Sequence, residues 1–167
     1  MAVQLQKQTA DMQLALRQAL SLFPTGVVAA CALIDGSPVG MSMNSFTSVS
    51  LDPPLVSICV ARTSTTWPIL KTSDRLGLSV LGAQQSALCR RLASRSQERF
   101  ESGEWQARES GAVLLNDATL WLECEQYASV DGGDHEVILL EVVDSELFPD
   151  VKPLIFHQSK FHELQAH

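Results

Sequence analysis

From Val27 onward the chain is a succession of short apolar runs cut by turn-forming residues, with few helical segments between them. Val27–Ile34 is apolar at every position, and Asp35-Gly36-Ser37-Pro38 breaks it. Val39–Ser50 follows as a more polar strand or extended loop, and Asp52-Pro53-Pro54 breaks the chain again before the apolar Leu55–Ala61. Arg75–Leu81 and the alternating Leu120–Glu125 repeat the texture, as does Val137–Val143 after the turn Asp131-Gly132-Gly133-Asp134. Leu154–Phe156 and Phe161–Leu164 supply a last strand. Gly, Pro, Asp and Ser between β-branched and apolar runs are turn chemistry, so each break reads as the end of a strand. Strand follows strand more often than helix, which excludes a doubly wound parallel sheet. The pattern predicts a mainly β, mostly antiparallel barrel of roughly six or seven strands with peripheral helices.

Those helices are few. Met12, Leu16, Ala19, Leu20 and Phe23 recur at three- and four-residue steps, predicting a helix over about 10–22 that Pro24 and Gly26 stop. Gln84–Arg95 is rich in strong helix formers. Thr66–Lys71 is long enough for a short helix capped by Ser64 or Thr65. At 167 residues, 46% hydrophobic and 19% charged, the chain reads as one folded domain over 1–167 with a sizeable core. A net charge of −7 argues against nucleic acid and anionic membrane surfaces as partners. No apolar run approaches the ~20 residues that span a bilayer, and the first residues lack the apolar stretch of a secretory signal. Cys31, Cys59, Cys89 and Cys124 form no CxxC pair, which fits reduced thiols in the cytoplasm.

Several chemistries are excluded by their motifs. There is no GxGxxG after a strand, no GxxxxGK[ST], no HExxH and no GxSxG, and no Cys/His cluster has zinc spacing. His157, His162 and His167 are five apart and share no helix face. Four polar features remain. The stretch Gly40–Ser50 carries short hydroxyl and amide side chains between apolar strands, able to bind the edge of a flat heteroaromatic or simply to form a polar edge strand. Arg62-Thr63-Ser64-Thr65-Thr66 follows a strand and suits a phosphate, although an ordinary cap needs only one of its hydroxyls. Arg90, Arg91, Arg95 and Arg99 put three arginines on one predicted helix stripe, where they meet either an anion or Glu98, Glu101 and Glu104. Gly132-Gly133-Asp134-His135 holds a histidine beside a carboxylate at the mouth of an apolar strand, in a structural or a ligand-facing role.

In this order the segments resemble the short flavin reductases, small NAD(P)H:flavin oxidoreductases with an FMN-binding split β-barrel. The resemblance runs from about Gln18 to Leu164. It is carried by Phe23-Pro-Thr-Gly-Val27, by Asn44-Ser-Phe-Thr-Ser-Val-Ser-Leu-Asp-Pro-Pro-Leu-Val56, by Glu98-Arg-Phe100 and by Gly133-Asp-His135. It implies a homodimer that reduces FMN or FAD with NADH or NADPH and supplies reduced flavin to a separate flavin-dependent monooxygenase. It also implies that Asn44, Ser45, Phe46 and Thr47 line the isoalloxazine ring, largely through backbone groups. Ser48, Ser64, Thr65 and Thr66 would hold the ribityl chain or phosphate, Arg99 and Phe100 would lie near the cofactor, and His135 would position the nicotinamide. No metal is implied. Two departures from the family pattern, Leu140 inside a strand and Gln158-Ser159 in the tail, point to the alternative of a flavin-binding protein with little turnover.

Overall fold

The computed structural model describes residues 2–94, 98–101 and 103–164, with side chains from residue 11 onward. Helix α1 (Ala2–Leu20) leads into β1 (Thr25–Gly26), β2 (Val28–Ile34), β3 (Ser37–Met43), β4 (Thr47–Leu51) and β5 (Pro54–Ala61). A short α2 (Trp67–Leu70), β6 (Leu76–Val80), a 3-10 turn (Ala83–Gln85) and α3 (Ser86–Ala93) come next. Then follow β7 (Trp105–Ala107), β8 (Val113–Leu115), the long β9 (Leu120–Gly132) and β10 (His135–Leu147), β11 (Leu154–His157) and β12 (Lys160–Glu163).

Seven strands form one antiparallel sheet in the order β3-β2-β6-β9-β10-β5-β4. Its two edge strands are consecutive in the chain, joined only by Asn44-Ser45-Phe46. Laid flat at about 4.8 Å per strand, the edges would stand nearly 30 Å apart. Three linking residues reach at most about 14 Å. The sheet therefore curls until its edges approach, a split-barrel-like fold left open along β3 and β4. Bulges assist the curl by bending strands. Tyr127 in β9, Val143 in β10 and Val49 in β4 are the unpaired bulge residues, and all three are exposed.

Alternation along the strands fills the inside. Ala30 and Ala32 of β2, Val56, Ile58 and Val60 of β5, Leu76 and Leu78 of β6, Leu122 and Cys124 of β9 and Ile138 and Leu140 of β10 make the barrel core, and α2 plugs it with Trp67 and Leu70. The other face of β2, through Ala29 and Cys31, packs on Leu88, Cys89 and Leu92 of α3, on Val113 and Leu115 of β8 and on Leu154. Burial on both faces explains why Val27–Ile34 is apolar without alternation. Leu140 is fully buried in the barrel core, so this departure from the family pattern is a packing residue.

Some expectations change. The N-terminal helix begins at Ala2 rather than near residue 10, because Gln4 to Gln8 hold good helix formers that an apolar-period reading passes over. Its stripe Met12, Leu16, Leu20 is exposed, as is Phe23. Val39–Ser50 splits into two strands, and the tail is a hairpin rather than one strand. Helix α3 ends at Ala93, so Arg99 lies beyond it and no stripe of Arg91 and Arg99 exists; Arg95 and His167 lie outside the described residues.

Candidate active site at the end of β5

Three of the polar features meet where β5 ends, because β5 lies between β4 and β10 in the sheet. On one side, Ser45 Oγ donates to the Cys59 carbonyl and accepts the Cys59 N–H, both at 3.0 Å. That pair of bonds spends the Ser45 hydroxyl on β5. Thr47 and Ser48 then pair with Ser57 and Val56. On the other side, His135 opens β10 opposite Ala61. Beyond Ala61 the chain turns through Arg62 and the hydroxyl run.

That run is partly committed. Ser64 Oγ accepts the Trp67 N–H at 3.1 Å, but the N-cap position of α2 is Thr66, which makes no side-chain cap bond, rather than Ser64 or Thr65. Thr66 is buried, and its Oγ1 accepts from Arg99 Nη1 at 2.9 Å. Arg99 Nη1 also donates to the Gly40 carbonyl at 2.8 Å, and Nη2 donates to the Ser94 carbonyl. One guanidinium thus ties the open edge of β3 to α2 and to the end of α3. Gly40 is required here: a side chain would strike Cys31 Sγ and would sit 2.8 Å from Phe100 Cζ. Arg91, another member of the predicted stripe, pairs with Glu104 at 2.8 Å.

The Gly-Asp-His turn is tied from outside its own hairpin. The Arg62 N–H donates to the Asp134 carbonyl at 3.0 Å, Arg62 Nε donates to the Gly133 carbonyl at 2.9 Å, and Arg62 Nη2 lies 3.1 Å from Asp131 Oδ1. Asp131 Oδ1 also accepts the Gly133 N–H at 2.9 Å. The Gly133 amide first, and then Arg62, hold the Asp131 carboxyl below its ordinary 3.8. His135 Nδ1 lies 2.7 Å from Asp134 Oδ1. A carboxylate can only accept, so this contact selects the Nδ1–H tautomer and leaves Nε2 facing outward. The same hydrogen bond lowers the Asp134 pKa.

Burial pushes the Cys31 and Cys124 thiols up to about 12 and raises Cys89 as well, so none offers a ready thiolate. A mostly apolar cavity of about 210 Å³ opens beside Asn44, between Ser42, Met43, Cys89, Phe156 and Phe161. A second, of about 220 Å³, is lined by Gly40, Thr66, Arg99 and Phe100. A larger one, about 570 Å³ around Gly82–Gln85, Arg91 and Lys152, holds none of the residues assigned to the flavin or nicotinamide, and its lining mixes those cations with Glu104, Asp117 and Asp150.

A flavin asks for a flat apolar slot, hydrogen-bonding groups along a ring edge and polar partners for its ribityl phosphate. Among the described residues, the side chains of Asn44, Ser48 and Thr65 make no intrachain hydrogen bond. Thr25 Oγ1 and Arg99 Nε are buried without a partner. A buried orphan such as Arg99 Nε calls for an explanation, and a ligand supplies one; Asn44, Ser48 and Thr65 are exposed and open to one. The donor set and the apolar slot at Asn44 fit the cofactor. Sequence reading brought Arg62 into the polar run without giving it a role; its partners are some 70 residues away, and only the pairing of β5 with β10 reveals them.

Comparison with known proteins bears on the family of the chain. Residues 20–165 match the family described as flavin reductase like domain. A flavin reductase from Pseudomonas putida is 32% identical over 146 residues, 87% of this chain and 86% of that relative. The reductase subunit of a flavin-dependent monooxygenase from Rhodococcus jostii is 32% identical over 145 residues, covering 87% of this chain and 74% of that protein. The solved structure of an NADH:FAD oxidoreductase from Streptomyces globisporus, in complex with NAD and FAD fragments, superposes with a TM-score of 0.86 at 36% identity, over 92% of this chain and 93% of that one.

Proposed function

The chain belongs to the flavin reductase family, and from that membership we propose that the cluster at the end of β5 binds FMN or FAD and presents it to a reduced nicotinamide nucleotide. When bound, the flavin and the nicotinamide would themselves supply the hydride-transfer chemistry. The protein contributes position. Asn44, Ser45, Phe46 and Thr47 line the ring, and Ser45 does so through its backbone because its hydroxyl is bonded to β5. Ser48, Ser64, Thr65 and Thr66 hold the ribityl chain or phosphate, with Ser48 and Thr65 offering their side chains. Arg99 and Phe100 wall the cleft beside Thr66. His135 positions the nicotinamide, its ring set by Asp134. NADH is the donor named for the Streptomyces globisporus relative, which supports NADH over NADPH.

Kinship with reductase subunits of two-component systems implies a flavin-dependent monooxygenase as the partner that consumes reduced flavin. The protein works as a homodimer in this reading. Its support is the apolar surface that stays exposed: Met12, Leu16, Leu20 and Phe23 at the N-terminal helix, and Val49, Leu51, Tyr127 and Leu147 on the sheet. A cytoplasmic setting is supported by the four free cysteines. No described helix is long and apolar enough to cross a membrane.

The observation that carries the reading is the convergence of Asn44–Ser48, Arg62–Thr66 and His135 on one strand end. The test is oxidation of NADH by the purified protein, followed by the loss of reduced-nicotinamide absorbance with FMN and FAD supplied separately. Turnover that requires flavin is expected. Flat absorbance with flavin still bound would replace the reductase by the flavin-binding alternative; neither turnover nor binding would remove both.

A further inference from the structure

We propose that Arg62 is a positioning residue for the hydride donor, acting through the 131–135 turn; the proposal rests on the role given to His135 above. Arg62 is the first residue past β5, and it grips the hairpin opposite with both its backbone and its side chain. Its N–H holds the Asp134 carbonyl, its Nε holds the Gly133 carbonyl, and its Nη2 pairs with Asp131. Three successive parts of the turn that aims His135 are therefore fixed to the strand that carries the flavin-side loops. The planar guanidinium offers two donors at fixed separation, which lysine cannot reproduce.

Stability alone does not account for this arrangement. The Arg62 side chain is 49% exposed and Asp131 is 79% exposed, and exposed ion pairs add little to folding. What the fork does supply is direction. The His135 side chain is 45% exposed at the tip of a long hairpin and has one polar contact, to Asp134, itself 89% exposed. Without Arg62 the turn keeps its backbone bond from residue 62 and the Asp131–Gly133 bond, so the fold persists while the tip gains freedom. Looseness there raises the cost of ordering the nicotinamide nucleotide and leaves the flavin loops untouched.

The experiment compares wild type with Arg62→Ala, Arg62→Lys and Asp131→Asn. NADH is varied at saturating flavin, and flavin affinity and thermal midpoint are measured in parallel. The expected result for Arg62→Ala is a KM for NADH raised about five- to tenfold with kcat and flavin affinity within about twofold. Arg62→Lys is expected to resemble Arg62→Ala, and Asp131→Asn to move the same way by less. A KM for NADH that changes less than about twofold in Arg62→Ala overturns the proposal, as does a loss of flavin affinity as large as the rise in KM. Wild-type protein that oxidises no NADH in the presence of flavin removes the reductase reading, and the assignment of Arg62 falls with it.

Discussion

The β9–β10 hairpin turns through Gly133 and Asp134, and the β11–β12 hairpin turns through Gln158 and Ser159. At the first tip the residue with positive φ, +79°, is a glycine, which adopts it freely. At the second, both tip residues have positive φ, 49° at Gln158 and 60° at Ser159, and neither is glycine. The β2–β3 hairpin shows the commonly favoured Asp-Gly solution to the same geometry, Asp35-Gly36 at 50° and 77°, with a glycine at the second position. The supports differ as well. Side chains of Arg62, Asp131 and Asp134 brace the first tip, whereas the Gln158 N–H bonds only the backbone of Ser21, at 2.9 Å. The tip that carries His135 is relaxed in its backbone and clamped by charge. The other is strained and anchored to the end of α1.

The largest effect should come from emptying the clamped tip. His135→Ala is expected to lower kcat/KM for NADH by about ten- to a hundredfold while flavin affinity stays within about twofold. Steady-state kinetics beside a flavin titration would check it. An unchanged response to NADH would leave the bracing of that tip without a purpose in catalysis.

A smaller effect separates the two backbones. Left-handed φ costs a non-glycine residue about 1–2 kcal/mol, so Ser159→Gly should stabilise the protein by about 1 kcal/mol. Gly133→Ala, made at the relaxed tip, should destabilise by a similar amount. Denaturant midpoints at constant m would measure both. If Ser159→Gly were neutral or destabilising, the second tip would not be the strained one.

Much of this contrast was hidden in the sequence, although the fold was not. Val27–Ile34, Leu55–Ala61 and Val137–Val143 announce themselves as strands because their burial leaves the residue pattern little freedom. The Asn44–Val56 block stands out by its short polar residues between apolar strands, and only the family resemblance ties it to a flavin. Strands such as β7 and β8, three residues each, are too short for a two-residue period to register. Arg99 was placed on a helix because Arg91, Arg95 and Arg99 share its spacing. The chain leaves the helix at Ser94, and Arg99 turns inward to the Gly40 carbonyl and Thr66. Gln158-Ser159 reads as an ordinary polar pair until the pairing of His157 with Lys160 forces a two-residue turn on it. Arg62 and Asp131 were equally illegible, since side chains some 70 residues apart meet only through strand register.

The smallest effect is a titration, and it bears on the charge side of the comparison. Asp131 is held below its ordinary 3.8 by the Gly133 amide and then by Arg62. A carboxyl with a depressed native pKa stabilises the arrangement above its unfolded value and loses that contribution as pH falls through the native one. The clamp should therefore be complete at neutral pH and release only below 3.8. The Gly133 amide donates directly to Asp131, so its NMR shift should follow this release with a midpoint below 3.8. Arg62→Ala removes the second cause of the depression and should move that midpoint upward, although not all the way, because the Gly133 bond is the larger cause. The Gln158 amide, bonded to a carbonyl rather than a carboxylate, should show no such step. A Gly133 midpoint at or above 3.8 would mean that the turn is not held through Asp131, leaving only the two backbone carbonyls for Arg62 to grip.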